Sequence, residues 1–160
     1  MRQSLEGIDV LRECTGKEIQ AITEICRPMT VQQGDRIFEA GGPADFLYFV
    51  AEGVVELSYK VTHYLATKEI TIDRIRKDQT FGWSALAESK TYTLSAVATT
   101  QVELFQVPAT DLRKLCSEHH HLGYVLMKNI AVIIGGRFER TQRILMGVIQ
   151  KQLDEKESRM

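Results

Sequence analysis

All three prolines of this 160-residue chain, Pro28, Pro43 and Pro108, fall in its first two thirds, where Gly34, Gly41, Gly42, Gly53 and Gly82 also interrupt short apolar runs. Beyond Pro108 the pattern turns helical, with a Gly135-Gly136 pair inside it. Proline is excluded from central strands and glycine weakens helix and strand interiors. The punctuation therefore divides the chain into a β part and an α tail. The hydrophobic share of 44% is enough for an ordinary core, and 160 residues suit one domain with little to spare.

Within the β part the apolar period is two. Arg36-Ile37-Phe38-Glu39-Ala40 is followed by the turn Gly41-Gly42-Pro43-Ala44-Asp45 and then by the run Phe46-Leu47-Tyr48-Phe49-Val50. Val55, Leu57 and Tyr59 alternate with Glu56, Ser58 and Lys60, and Ile70 and Ile72 sit among Glu69, Thr71 and Asp73. Two further strands are expected over Tyr92–Ala98 and Val102–Val107, with Thr99-Thr100-Gln101 as the turn. Short strands about ten residues apart predict a sandwich or barrel.

Helical signals flank this region. Thr15 with Glu18 three residues on forms a capping-box signal ahead of Ile19, Ile22 and Ile25. After Pro108 a helix from Asp111 to Cys116 precedes a polar break at Ser117–His121, then an apolar-rich stretch from Leu122 to about Gln152. Thirty helical residues span about 45 Å, more than a small β domain covers. Some of that helix must pack on something else. Gly135-Gly136 marks either a kink or a place where a partner backbone comes close.

The segment from Gly34-Asp35-Arg36-Ile37-Phe38 through Gly41-Gly42-Pro43 to Gly53-Val54-Val55-Glu56-Leu57 resembles the opening of the cyclic-nucleotide-binding domain, the sensor-domain family of the catabolite activator protein. The resemblance implies a mainly β fold with flanking α elements. It would be a jelly-roll or double-stranded β-helix, a β-roll over about 27–108, with a short N-terminal helix and a hinge plus long helix over about 109–153. It also implies a phosphate-binding cassette, here Phe81-Gly82-Trp83-Ser84-Ala85-Leu86-Ala87 followed by a loop through Lys90 to Tyr92 and Thr93. In such a cassette Gly82 turns the backbone, and amides of Ser84, Ala85 and Leu86 at a helix start form an anion nest.

Nucleotide-binding members carry a glutamate after that glycine for the ribose and an arginine at the start of the next strand for the cyclic phosphate. This sequence has Trp83 and Tyr92 there. A phenol does not reproduce the forked guanidinium, whose charge-assisted hydrogen bonds contribute about 1.5–3 kcal/mol each. The resemblance therefore predicts a sensor module that does not hold cAMP by the usual contacts and takes a cyclic nucleotide by another geometry, a different small anion, or nothing. Lys90 either folds back over the site or is solvated. Arg137 either reaches the ligand from the long helix or pairs with Glu139 or another acid. Trp83 either fills the pocket or forms its wall. The alternative function is a ligand-free interaction module plugged by Trp83.

Other chemistry is thinly represented. Cys116, His119 and His120 share a face only if a helix continues through them, and no fourth ligand is evident. No nucleophile, base and orienter stand in a recognisable relation, so no enzyme and no resident cofactor or metal are expected. A net charge of −1 gives no field toward nucleic acid, and Arg137, Arg140 and Arg143 read as a solvated face. Eight residues after Gln152 leave no room for a DNA-binding domain, so no direct DNA contact is expected. No apolar stretch approaches the ~18–20 residues of a membrane span. The N-terminus lacks an export signal, and three cysteines without a CxxC pair suit a cytoplasmic protein. The expected partners are a second copy through the C-terminal helix, a small anion and a regulated protein.

Overall fold

The computed structural model describes residues 5–159, apart from the side chain of His63; residues 1–4 of the segment read for an export signal lie outside the described residues. After a 3-10 turn at Asp9–Leu11 comes helix α1 (Gly16–Ile25), whose start is the expected capping box. The Thr15 hydroxyl accepts from the Glu18 amide at 3.3 Å, and the Glu18 carboxylate accepts from the Thr15 amide at 2.7 Å. Such a cap is worth about 1 kcal/mol.

Eight strands follow: β1 (Arg27–Val31), β2 (Arg36–Phe38), β3 (Phe46–Glu52), β4 (Val55–His63), β5 (Ala66–Ile75), β6 (Thr80–Phe81), β7 (Ser95–Ala98) and β8 (Val102–Pro108). They form two antiparallel sheets, β1-β8-β3-β6 and β2-β7-β4-β5, which give the β-roll its two walls. The chain ends in α2 (Ala109–Glu118) and α3 (His120–Glu157).

Strand β3 explains why its sequence is continuously apolar. Alternate side chains serve different cores: Tyr48 and Val50 lie between the sheets, whereas Leu47 and Phe49 turn to the helices. Both faces are covered, so no polar alternation survives. The helical core joins Leu47, Phe49 and Val107 to Ile22 of α1, Leu112 of α2, and Leu122, Leu126 and Ile130 of α3. Each such fully buried side chain contributes about 1.5–3 kcal/mol through apolar burial. Asn129 adds direction, because its amide donates to the carbonyls of Val10 and Arg12 at 3.0 and 2.8 Å and pins α3 to the N-terminal segment.

Three elements differ from the sequence expectation. The strand expected from Tyr92 is regular only from Ser95. Lys90 takes a left-handed φ of 46°, and Thr91 bridges only to Pro43, so residues 91–94 form an irregular link. The hinge break is tighter than Ser117–His121. Only His119, at φ −123° and ψ 88°, separates α2 from α3, which ends the helical register that would have gathered Cys116, His119 and His120. Helix α3 is also longer than expected, 38 residues running through Gly135-Gly136 without a break, or about 57 Å.

Candidate functional site

The residues that set the site begin at Gly82. Its φ of +79° is left-handed, and a Cβ there would lie 3.1 Å from both the Phe46 carbonyl oxygen and the Tyr48 ring. Glycine is needed to leave β6 so abruptly. The chain then makes a single 3-10 turn, Trp83–Leu86. Of the amides read from the sequence as an anion nest, that of Ala85 is already engaged. The Ala85 amide donates to the Gly82 carbonyl at 3.1 Å, and the Ala85 carbonyl accepts from Arg113 of α2 at 2.8 Å.

Tyr92 is an anchor in this arrangement. It is buried, its ring stacks on Phe38 at 3.6 Å, and its hydroxyl donates to the Phe46 carbonyl at 2.7 Å. Burial pushes the phenol well above its ordinary range, so it stays neutral at any physiological pH. A neutral, already engaged hydroxyl offers no counter-charge to a phosphate.

A cavity of about 280 Å³ opens beside these residues. Gly82, Trp83 and Ser84 of the turn and Tyr92, Thr93 and Leu94 of the link form one side. Phe38, Leu57, Ile72 and Asp73 of the second sheet form the floor, and Ile134, Arg137, Phe138, Arg140 and Thr141 of α3 close the other side. Trp83 is half-buried and also packs on the helical core, so it is a wall. The cavity lies beside its indole.

Of the residues singled out in the sequence, Gly82, Trp83, Ser84, Tyr92, Thr93 and Arg137 meet at this cavity. Ala85 and Lys90 do not; they line a separate hollow behind the turn with Asp45 and Arg113. Leu86 packs against both cores. Lys90 is exposed and does not fold over the cavity.

Sequence reading missed the acid that organises the site. Asp73, on β5, receives the Arg137 Nε at 3.1 Å and the Arg140 Nη1 at 2.6 Å, while Arg137 Nη2 donates to the Thr80 carbonyl at 2.8 Å. Arg137 therefore pairs with Asp73 and not with Glu139, and Arg137 and Arg140 are not simply a solvated face. Burial draws the Arg137 guanidinium down from its usual value, and Asp73 and then Asp9 oppose that shift. Asp73 faces two guanidiniums, with Asp9 as a second carboxylate near Arg137. The available signal was the i, i+3 spacing of the arginines, which fixes a face but not its partner.

The model of the cyclic nucleotide-binding domain matches residues 28–119. The chain belongs to that family. Among curated proteins, this member of the family is similar to the global nitrogen regulator of Synechocystis sp., 32% identical over 109 residues, 65% of this chain and 47% of that protein. It spans about half the length of the curated relatives it matches. Among solved structures it is similar to a cyclic nucleotide-binding domain from Methylobacillus flagellatus KT, with 17% identity, a TM-score of 0.77, and 89% of this chain and 81% of that one covered. Thermus thermophilus catabolite activator protein gives 24% identity and a TM-score of 0.72, with 88% and 62% covered. At such identities the structural likeness is one of fold. No helix among the described residues is long and apolar enough to cross a membrane.

Proposed function

We propose that this cyclic nucleotide-binding domain is a sensor or regulatory module that signals through α3 and does not grip cAMP by the usual contacts. The observation that carries the reading is the shared wall. The cavity lies between the Gly82 turn and α3, and Asp73 holds Arg137 and Arg140 across it. A guest that draws the guanidiniums from Asp73 changes how the helix is held. It shifts the helix only as far as its affinity differs between the two positions.

Support for a homodimer comes from the face α3 leaves open. Tyr124, Met127, Phe138, Leu145 and Val148 are exposed apolar residues at the three-four spacing of a coiled-coil seam. Gly135 and Gly136 have open space around them, which lets a second backbone approach. A regulated protein that reads α3 completes the proposal. The role is regulatory and not enzymatic, and the three unpaired cysteines fit a cytoplasmic setting.

Titration with cAMP, followed by calorimetry and Trp83 fluorescence, tests the ligand half. Losing the two specific contacts, at about 1.5–3 kcal/mol each, places the Kd about 10²- to 10⁴-fold above that of a receptor that makes them. A micromolar Kd abolished by altering Gly82 would overturn the reading.

A further inference from the structure

The cavity that this reading assigns to a sensor has a lining unlike that of a nucleotide site, and the lining specifies a guest. Its walls are mostly apolar: Leu57 and Ile72 of the sheet, Leu94 of the link, Ile134 and Phe138 of α3, and the indole of Trp83. A sugar–phosphate in contact with these groups would lose water without gaining hydrogen bonds, which is unfavourable. Ser84 and Thr93 add hydroxyls beside the turn, and the charged groups are gathered at one end. There Arg137 and Arg140 share Asp73, with Thr141 one residue beyond Arg140.

Charge and donor counts at that end are decisive. Two guanidiniums face Asp73, and Asp9 also lies within electrostatic reach of Arg137, so this end is close to neutral overall; a guest with one negative charge is held by the guanidinium donors, and one with two is opposed by both carboxylates. Each guanidinium carries five N–H donors. Arg137 directs Nε to Asp73 and Nη2 to the Thr80 carbonyl, and Arg140 directs Nη1 to Asp73, so donors remain on both. Size gives a further limit. At about 280 Å³ the cavity suits a compact guest.

We propose that the ligand of this cavity is a compact apolar monocarboxylic acid, with its carboxylate on Arg137 and Arg140 and its hydrocarbon or aromatic body against Trp83, Leu94 and Ile72. The proposal rests on the sensor reading for its consequence, since the anion competes with Asp73 for the arginines that hold α3. It rests on the cavity alone for binding.

The test uses the full chain with 4-tert-butylbenzoate as probe, its uncharged amide as control and cAMP as competitor, by calorimetry and quenching of Trp83. Hydrogen exchange of residues 131–141 is measured on the same samples. The expected result is saturable binding of the carboxylate, at least tenfold weaker binding of the amide and of cAMP, and at least fivefold weaker carboxylate binding in Arg140→Gln. Arg140 is half-exposed, so that variant retains its fold even if Arg137→Gln does not. Asp73→Asn, which frees both guanidiniums, should tighten carboxylate binding severalfold. Tighter binding of cAMP than of the carboxylate, equal binding of carboxylate and amide, or no binding of the carboxylate overturns the proposal. Carboxylate binding with unchanged exchange in α3 upholds this ligand class and overturns the sensor reading instead.

Discussion

Residues 120–134 and residues 138–157 belong to one unbroken helix, yet they are different kinds of surface. In the first stretch Leu122, Val125, Leu126, Asn129 and Ile130 are buried against the β-roll and the N-terminal segment. In the second, Phe138, Ile144, Leu145, Met146, Val148 and Leu153 are all more than half exposed. Apolar content does not separate the two. What separates them is that the first stretch has a neighbour. The boundary falls at Arg137 and Arg140, where Asp73 makes the last contacts between helix and sheet. The cavity sits at that boundary, where a small change in holding the helix has the longest lever.

The largest test of this contrast is a matched pair of truncations. Leu126→Ala should lower unfolding free energy by about 2–5 kcal/mol, because it empties a fully buried site. Leu145→Ala should change it by less than about 0.5 kcal/mol in dilute solution. Equal losses in chemical denaturation would mean the distal stretch is packed in the monomer. A charge on the distal face sharpens the point. Val148→Asp is expected to weaken self-association at least tenfold, about 1.4 kcal/mol, in sedimentation equilibrium, while leaving the thermal unfolding of the dilute chain within a few degrees of the parent.

Smaller effects probe the boundary itself. Asp73→Asn removes both ion pairs with α3 at once. The Arg140 side chain is about half exposed, but Asp73 and Arg137 are largely buried, so the expected loss is about 1–3 kcal/mol. Hydrogen exchange should quicken in residues 134–141 and stay unchanged around Leu126. Uniform quickening along α3 would break the two-stretch description.

Acid gives the mildest test. Partial burial works against the Glu18 carboxylate, but the Thr15 amide and hydroxyl and the His121 ring outweigh it and hold Glu18 below its ordinary value of 4.5. A depressed folded-state value stabilises the fold above pH 4.5, and that contribution is lost as pH falls through the lowered value. As pH falls below 4.5, amides of α1 and the start of α3 should therefore lose protection progressively, read by hydrogen exchange.

Much of the fold was legible because its signals are local. The Thr15–Glu18 box, the Gly41-Gly42-Pro43 turn and the alternation through Val55, Leu57 and Tyr59 each specify an element from a few neighbouring residues. The strand expected from Tyr92 was less legible. Its β-forming composition was overridden by a hydroxyl tied to the Phe46 carbonyl, 46 residues away in sequence. The hinge was legible as a polar break over Ser117–His121, but its narrowing to His119 was not, since the flanking residues are all compatible with helix.

The candidate site divides along the same line. Sequence alone determined that Gly82 breaks the strand pattern just before Trp83, that Tyr92 follows nine residues after Trp83, and that Arg137 lies on a long helix. Each of these is a matter of residue identity and spacing. Only the tertiary structure decided that Trp83 is a wall, that Lys90 faces another hollow, and that Asp73 gathers Arg137 and Arg140 from 64 and 67 residues away. Ion pairing and cavity shape depend on which surfaces meet in space, and a strand aspartate carries no local mark of the helix that will cross it.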